Sequence, residues 1–314
     1  MRKIWKKGFA FVLAGILTFG LGISAFANED SSNAQGTASG GEVKVEEGDK
    51  PFISFGADLR DNEKAIVLDL LGVSADDLDQ YDVITITNEQ EHKYLDSYIS
   101  SDRIGNRALS SVVVMQGEKG SGIHVTTKNI NYCTTGMYEN ALATAGIEDA
   151  EVIVAGPFEI SGTAALLGAI EAYSVMTGDE VDTDVIDGAV NEIVVTGELE
   201  DSTGNTEEIE GMVAYLKEQV ADKNLSAAEL EDAVEQASEQ FNVTLTQEQI
   251  DKLIDLLEKL QGLNLDWDNL KSQAQSVYDK LKNMGIEVNT EELAQKAQGF
   301  FAKLIEFFRN LFRK

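Results

Sequence analysis

The sequence predicts an α+β protein, a mixed sheet with covering helices followed by an all-helical C-terminal half. Short β-branched or apolar runs at 52–55, 83–87, 112–116, 123–127 and 152–155 alternate with stretches of helical spacing as far as about residue 178. From residue 179 onward the pattern is helical only, and no proline follows Pro157 to interrupt it.

The chain opens with Arg2, Lys3, Lys6 and Lys7, then an apolar run over 9–23 that ends in Ala25-Phe26-Ala27. A basic start, a short apolar core and a small-x-small end are the parts of a secretory signal peptide, expected over residues 1–27 with cleavage after Ala27. An uncleaved anchor needs ~20 apolar residues. No cysteine lies near the cleavage site to take a lipid. The protein is therefore expected to be secreted or extracellular and associated with the cell envelope. Residues 28–50 are rich in Ser, Gly, Asn, Glu and Asp and hold almost no large apolar side chain, so they are expected to form a disordered linker.

A sheet domain is expected over 51–178. Its first strand leads through Gly56-Ala57-Asp58-Leu59 into a helix with Ala65, Ile66, Leu68, Leu70 and Leu71 on its apolar side and Gly72 at its end. The run at 83–87 is the next strand, and Asn88 can cap the helix that carries Tyr94, Leu95, Tyr98 and Ile99. A polar loop with Arg103, Gly105 and Arg107 follows. The strands at 112–116 and 123–127 are expected to pair through a glycine-bearing hairpin connection, 117–122. Thr134 or Thr135 can cap a helix that stops at Gly146. The stretch 150–173 then reads as a strand ended by Gly156-Pro157, with Ser161 as N-cap of a helix whose Ala165, Gly168, Ala169 and Ala172 make a close-packing face.

A helical domain is expected over 179–290. Ser226 with Glu229 and Thr246 with Gln249 are capping boxes. Ile250, Leu253, Ile254, Leu257 and Leu260 form one apolar stripe, and Trp267, Leu270, Ala274, Val277, Tyr278 and Leu281 form another.

The final segment, 291–314, differs in kind. Phe300, Phe301, Leu304, Phe308, Leu311 and Phe312 fall on one broad face, and after Glu292 five cations, including Arg309 and Arg313, stand against Glu306 alone. Such a basic amphipathic helix suits the interface of an anionic membrane. The other reading is that its apolar face closes the helical bundle or meets another envelope protein.

The body itself is acidic, with a formal net charge of −30, which the loss of the four leader cations makes more negative still. It repels nucleic acid as a whole, so none is expected as a partner. The single Cys133 excludes an internal disulfide and reads as a small buried residue in preference to a catalytic thiol. Oligomeric state is not legible here.

Arg103 and Arg107 flank Gly105 in a cation-poor chain, and two guanidinium groups could hold a carboxylate or phosphate; the alternative is pairing with the many acids. Ser161 and Thr163 at a helix start could meet an anion, or could serve only capping and close packing. Glu91 and His92 complete the candidate ligand-binding set. Catalytic residues are not identified. His92 and His124 sit in no metal-binding spacing, so no metal is expected, and with no P-loop lysine no cofactor is expected either. Asn264, Asp266 and Asp268 alternate like the start of a calcium loop, but Asn269 and Gln275 replace its glycine and closing glutamate. No Gly-x-Ser-x-Gly elbow occurs.

Several pieces together carry a resemblance: Gly56-Ala57-Asp58-Leu59, Thr87-Asn88 with Glu91-His92 and Tyr94-Leu95, Ile104-Gly105 with Arg107-Ala108 and Ser110-Ser111, Lys119-Gly120-Ser121-Gly122, and Pro157-Phe158-Glu159 with 161–166. The chain resembles the bacterial secreted family catalogued as domain of unknown function 1002, found mainly in Gram-positive bacteria. That resemblance implies export and an envelope setting and brings no assigned catalytic residues. The expected function is an exported, envelope-associated binding or structural module without catalysis. Alternatives are an enzyme acting on cell-wall or envelope material and a homotypic helical assembly module.

Overall fold

The computed structural model describes residues 50–178, 180–221 and 223–283, without the side chains of residues 102, 103 and 177. The expected signal peptide, all but the last residue of the linker and the whole terminal segment with Phe300, Phe301, Leu304, Phe308, Arg309, Leu311, Phe312 and Arg313 lie outside the described residues.

The chain runs β1 (Phe52–Gly56), α1 (Asp61–Leu71), a 3₁₀ turn (Ala75–Gln80), β2 (Asp82–Ile86), α2 (Asn88–Leu95), α3 (Ser101–Ile104), β3 (Ser111–Gln116) and β4 (Ile123–Ile130). It continues with α4 (Thr135–Thr144), β5 (Ala150–Ile160) and α5 (Thr163–Thr177). Five helices follow, α6 (Thr183–Thr203), α7 (Thr206–Val220), α8 (Ala227–Gln240), α9 (Gln247–Gln261) and α10 (Trp267–Asn283). The fold is α+β, with a mixed sheet in the order β2-β1-β3-β5-β4. β1–β2 and β4–β5 are parallel, whereas β1–β3 and β3–β5 are antiparallel.

The sheet is covered on both faces, which explains why β3 reads as a continuous run of valines and not as an alternation. Val112, Val114, Val152 and Val154 join the larger apolar cluster under α4 and α5, while Ile53, Phe55, Val113 and Ala155 face α1 with Val67, Leu68 and Leu71. α5 reaches the sheet closely because Gly168 has no side chain. A Cβ there would stand 2.4 Å from Ser54 Oγ and 2.7 Å from Ser54 Cβ. Gly168→Ala is expected to push α5 off β1 and lower stability by about 1–3 kcal/mol in urea unfolding, more than its gain in helix propensity returns. The larger cluster continues past residue 178 through α6, α7, α8, α9 and α10, with Ile193, Ile209, Leu216, Leu230 and Leu257 among its most buried members.

Several local expectations are corrected. β3 and β4 are not a hairpin, because β5 lies between them. Their connection is held instead by Asp149, whose carboxylate accepts the backbone N–H of Gly120 at 2.9 Å and of Gly122 at 2.8 Å. β5 does not stop at Gly156-Pro157 but extends to Ile160. β3 pairs with it only as far as Ala155, so Pro157 sits where β5 has lost that neighbour and its missing N–H breaks no ladder there. The register is then broken, with Asn129 (φ 57°) of β4 set against residues 156–159 of β5, before pairing resumes between Ile130 and Ile160. Thr87, not Asn88, caps α2, through a capping box with Gln90. In α1 Val67 turns inward while Ile66 is 44% exposed. The polar loop carries a short helix, α3. The capping boxes at Ser226 and Thr246 form as their spacing predicts.

One polar network crosses the helical layer. Lys217 Nζ on α7 donates to Glu192 Oε1 on α6 at 2.7 Å, to Asn140 O at 2.8 Å and to Thr144 Oγ1 at 3.1 Å on α4, and the Thr144 hydroxyl donates to Glu192 Oε2 at 2.5 Å. Lys217 and Glu192 are both buried.

Candidate functional site

β5 delivers Ile160 and Ser161 to the end of the sheet, and the chain then turns sharply into α5. The turn needs Gly162, whose φ is +99° and whose added Cβ would lie 2.5 Å from Tyr138 Oη. Tyr138, wholly buried in α4, donates its hydroxyl to Gly162 O at 2.6 Å and fixes the turn from below. Gly162, and not Ser161, is therefore the N-cap of α5, without a side-chain cap of its own. The capping function comes from elsewhere in the chain: Ser110 Oγ, just before β3, accepts the Ala165 N–H at 3.0 Å.

Above this turn lies a cleft of about 380 Å³ open to solvent. Ser161 and Thr163 line it from the turn, Glu91 from α2, and Arg107, Leu109 and Ser110 from the segment before β3. Asn131 and Tyr132 from the β4–α4 connection close its side. Glu91 is only 3% exposed. Its Oε1 accepts the Thr163 hydroxyl at 2.7 Å and its Oε2 accepts Asn88 Nδ2 at 3.3 Å. Burial raises the Glu91 carboxyl above the ordinary carboxylate value, and the two hydrogen bonds only partly oppose it. The Ser161 and Thr163 hydroxyls are 3.3 Å apart, so Ser161, Thr163 and Glu91 form a short chain of polar groups.

Four of the six ligand-binding candidates read from the sequence thus meet in one cleft: Glu91, Arg107, Ser161 and Thr163. Arg107 is not half of a free guanidinium fork. Its Nη2 donates to Glu63 Oε2 at 2.5 Å and to Asp58 O at 2.8 Å, and this partner holds the Glu63 carboxyl below its usual range. Arg103 lies in α3 and its side chain is outside the described ones. His92 turns away from the cleft, with Nδ1 on Asp96 Oδ1 at 2.8 Å and Nε2 on Gly105 O at 2.9 Å, and Asp96 first of all raises its pKa. Sequence reading missed Ser110 and Asn131 as cleft residues. Ser110-Ser111 ahead of three valines was a visible sign of hydroxyls with a task at a strand start, whereas nothing local marks Asn131.

A second cleft of about 370 Å³ lies across the Asn131–Tyr132–Cys133 turn, lined in part by Thr134, Glu139, Glu207, Glu210 and Lys280. Lys280 Nζ pairs with Glu139 at 3.1 Å, and Thr134 Oγ1 donates to Glu210 Oε1 at 2.5 Å. Cys133 is buried, and burial pushes its thiol far above the range of a reactive cysteine. Among the described residues no group of three or more His, Cys, Asp or Glu side chains is arranged to hold a metal ion, and no helix is long and apolar enough to cross a membrane.

A five-stranded mixed sheet whose β5–α5 turn carries an open cleft with polar and apolar walls defines an α+β protein with a cleft of small-molecule dimensions. The chain belongs to the family described as Protein of unknown function (DUF1002), whose model matches residues 55–277. It is similar to "Uncharacterized protein YpuA" of Bacillus subtilis (strain 168), 39% identical over 259 residues that cover 82% of this chain and 85% of that protein. No solved structure matches it.

Proposed function

We propose that the protein is exported and acts at the cell envelope as a non-catalytic binding module, with the β5–α5 cleft as its ligand site. The observation that carries this reading is the convergence of a buried carboxyl, Glu91, with Arg107, Ser161 and Thr163 around one open cleft. Export is supported by the basic, apolar and small-x-small pattern of residues 1–27. The test is a ¹H–¹⁵N titration of the chain lacking residues 1–27 with uncharged saccharides, organic anions and organic cations. At least one probe class is expected to shift the amides of Asn131, Ser161 and Thr163. Silence of these amides toward every class removes the reading.

The basic, phenylalanine-rich end is proposed to supply contact with an anionic membrane surface or another envelope protein. The chain lacking residues 1–27 is expected to co-sediment with anionic vesicles, and a chain that also lacks everything after Asn289 is expected to stay in the supernatant. Equal sedimentation of both rules out membrane contact through this segment.

A second reading is favoured by one observation, the polar chain from Ser161 through Thr163 to a carboxyl of raised pKa. In an enzyme acting on envelope material Glu91 would serve as general acid or base. Release of soluble fragments from purified envelope by the wild type, lost in Glu91→Gln, would establish it.

A further inference from the structure

Granting that the β5–α5 cleft is a ligand site, we infer that it takes an uncharged, hydroxyl-bearing ring, a saccharide unit, and not the carboxylate or phosphate that its arginine first suggests. Arg107 is the cation lining the cleft among the described side chains, and it is already neutralised. Its Nη2 is held by the buried Glu63 carboxylate at 2.5 Å and by Asp58 O at 2.8 Å. At the start of α5 two donors are already committed. Ser110 Oγ takes the Ala165 N–H, and the Thr163 hydroxyl is turned onto Glu91. An incoming anion would meet Glu91 itself, in a chain with a formal net charge of −30.

An organic cation fares no better. Both oxygens of Glu91 are engaged, one by Thr163 and one by Asn88, and an ammonium group would have to displace one of them in a site that leaves the residue 3% exposed. What remains is amphipathic without net charge. Ile99, Ile104, Leu109 and Ile160 give the cleft an apolar lining, and Ser161 and the exposed Asn131 supply a hydroxyl and an amide beside it. A sugar ring has that same division. Its C–H surfaces can be desolvated against aliphatic side chains, while its hydroxyls both donate and accept, as serine and asparagine require of a partner. The volume, about 380 Å³, falls in the range of roughly 300–1,000 Å³ common to small-molecule sites, and the open side lets a longer chain run out to solvent.

The experiment compares N-acetylglucosamine, chitotriose and maltotriose with citrate and glucose 6-phosphate as probes, each titrated into the chain lacking residues 1–27 and read at the Asn131, Ser161 and Thr163 amides. At least one of the three saccharides is expected to shift them saturably. Ser161→Trp, which fills the cleft, is expected to weaken that binding at least tenfold, and Asn131→Ala, at an exposed position where folding is not at stake, several-fold. Anions that shift these amides while all three saccharides stay silent overturn the saccharide assignment and leave the binding module standing. Saccharide shifts located elsewhere, or unchanged in both variants, also overturn the assignment. Silence toward every probe class removes the site itself.

Discussion

Lys217→Met is expected to lower the stability of the fold by about 3–5 kcal/mol, the usual cost of leaving a buried charge without its partner. Lys217 sits in the last turn of α7 at 2% exposure, and burial lowers its pKa. It stays in place because each of its three donors finds an acceptor, in Glu192, Asn140 and Thr144. Methionine is one atom shorter than lysine and fills most of the same space, but it supplies none of these bonds. Glu192, 1% exposed, then keeps only the Thr144 hydroxyl. Urea unfolding should show the midpoint falling with little change in slope, since the surface exposed on unfolding is nearly the same. Adding Glu192→Met on top should recover most of the loss, because two apolar side chains of similar volume replace a buried ion pair at little net cost. A double variant as unstable as the single one would show that packing, not an uncompensated charge, sets the cost.

That network also marks the limit of what the sequence discloses. Lys217 and Glu192 lie 25 positions apart on different helices, and in a chain with 55 acidic and 25 basic residues nothing singles out this pair. Signals confined to a few residues were legible. The capping boxes at Ser226 and Thr246 need only a side chain and a backbone N–H three positions apart, and both form. The valines of β3 and the small face of α5 announced burial directly. Sheet order was not legible, because the insertion of β5 between β3 and β4 is decided by pairing with a strand more than 20 residues away. The same division holds in the cleft. Glu91, Arg107, Ser161 and Thr163 stood out by residue type and setting, and the fold brings them together. What each one does there was decided by partners distant in sequence: Glu63 for Arg107, Ser110 for the start of α5, and Tyr138 for the turn that made Gly162 the cap.

Stability is expected to fall as the pH rises from about 4.5 to about 8, and Glu200→Gln should make that slope clearly shallower. Glu200 on α6 is 8% exposed, and its Oε1 has no hydrogen-bond partner. Burial first, and then the negative charges of Glu210, Asp201 and Glu207, raise its pKa from 4.5 to about 8. The folded protein therefore holds this proton more tightly than the unfolded chain does. The contribution is complete below 4.5, shrinks as the unfolded chain ionises, and is gone above about 8, where the folded state must carry the charge. Burial shifts Glu91, Glu139 and Glu210 in the same direction, so they add to the slope. Glu63, whose carboxyl is held low by Arg107, opposes it only on the acid side, where its ion pair is lost. With roughly 1.4 kcal/mol per pKa unit, the share of Glu200 is on the order of a few kcal/mol. Thermal midpoints at about pH 5 and about pH 8 give the measurement. The wild type should melt higher at the acid value, and Glu200→Gln, neutral at both, should gain most at the alkaline one. Parallel pH profiles for the two proteins would mean that Glu200 ionises in the folded state as easily as in water. In that case the orphaned Oε1 is solvated, and the helical layer is wetter around α6 than its packing indicates.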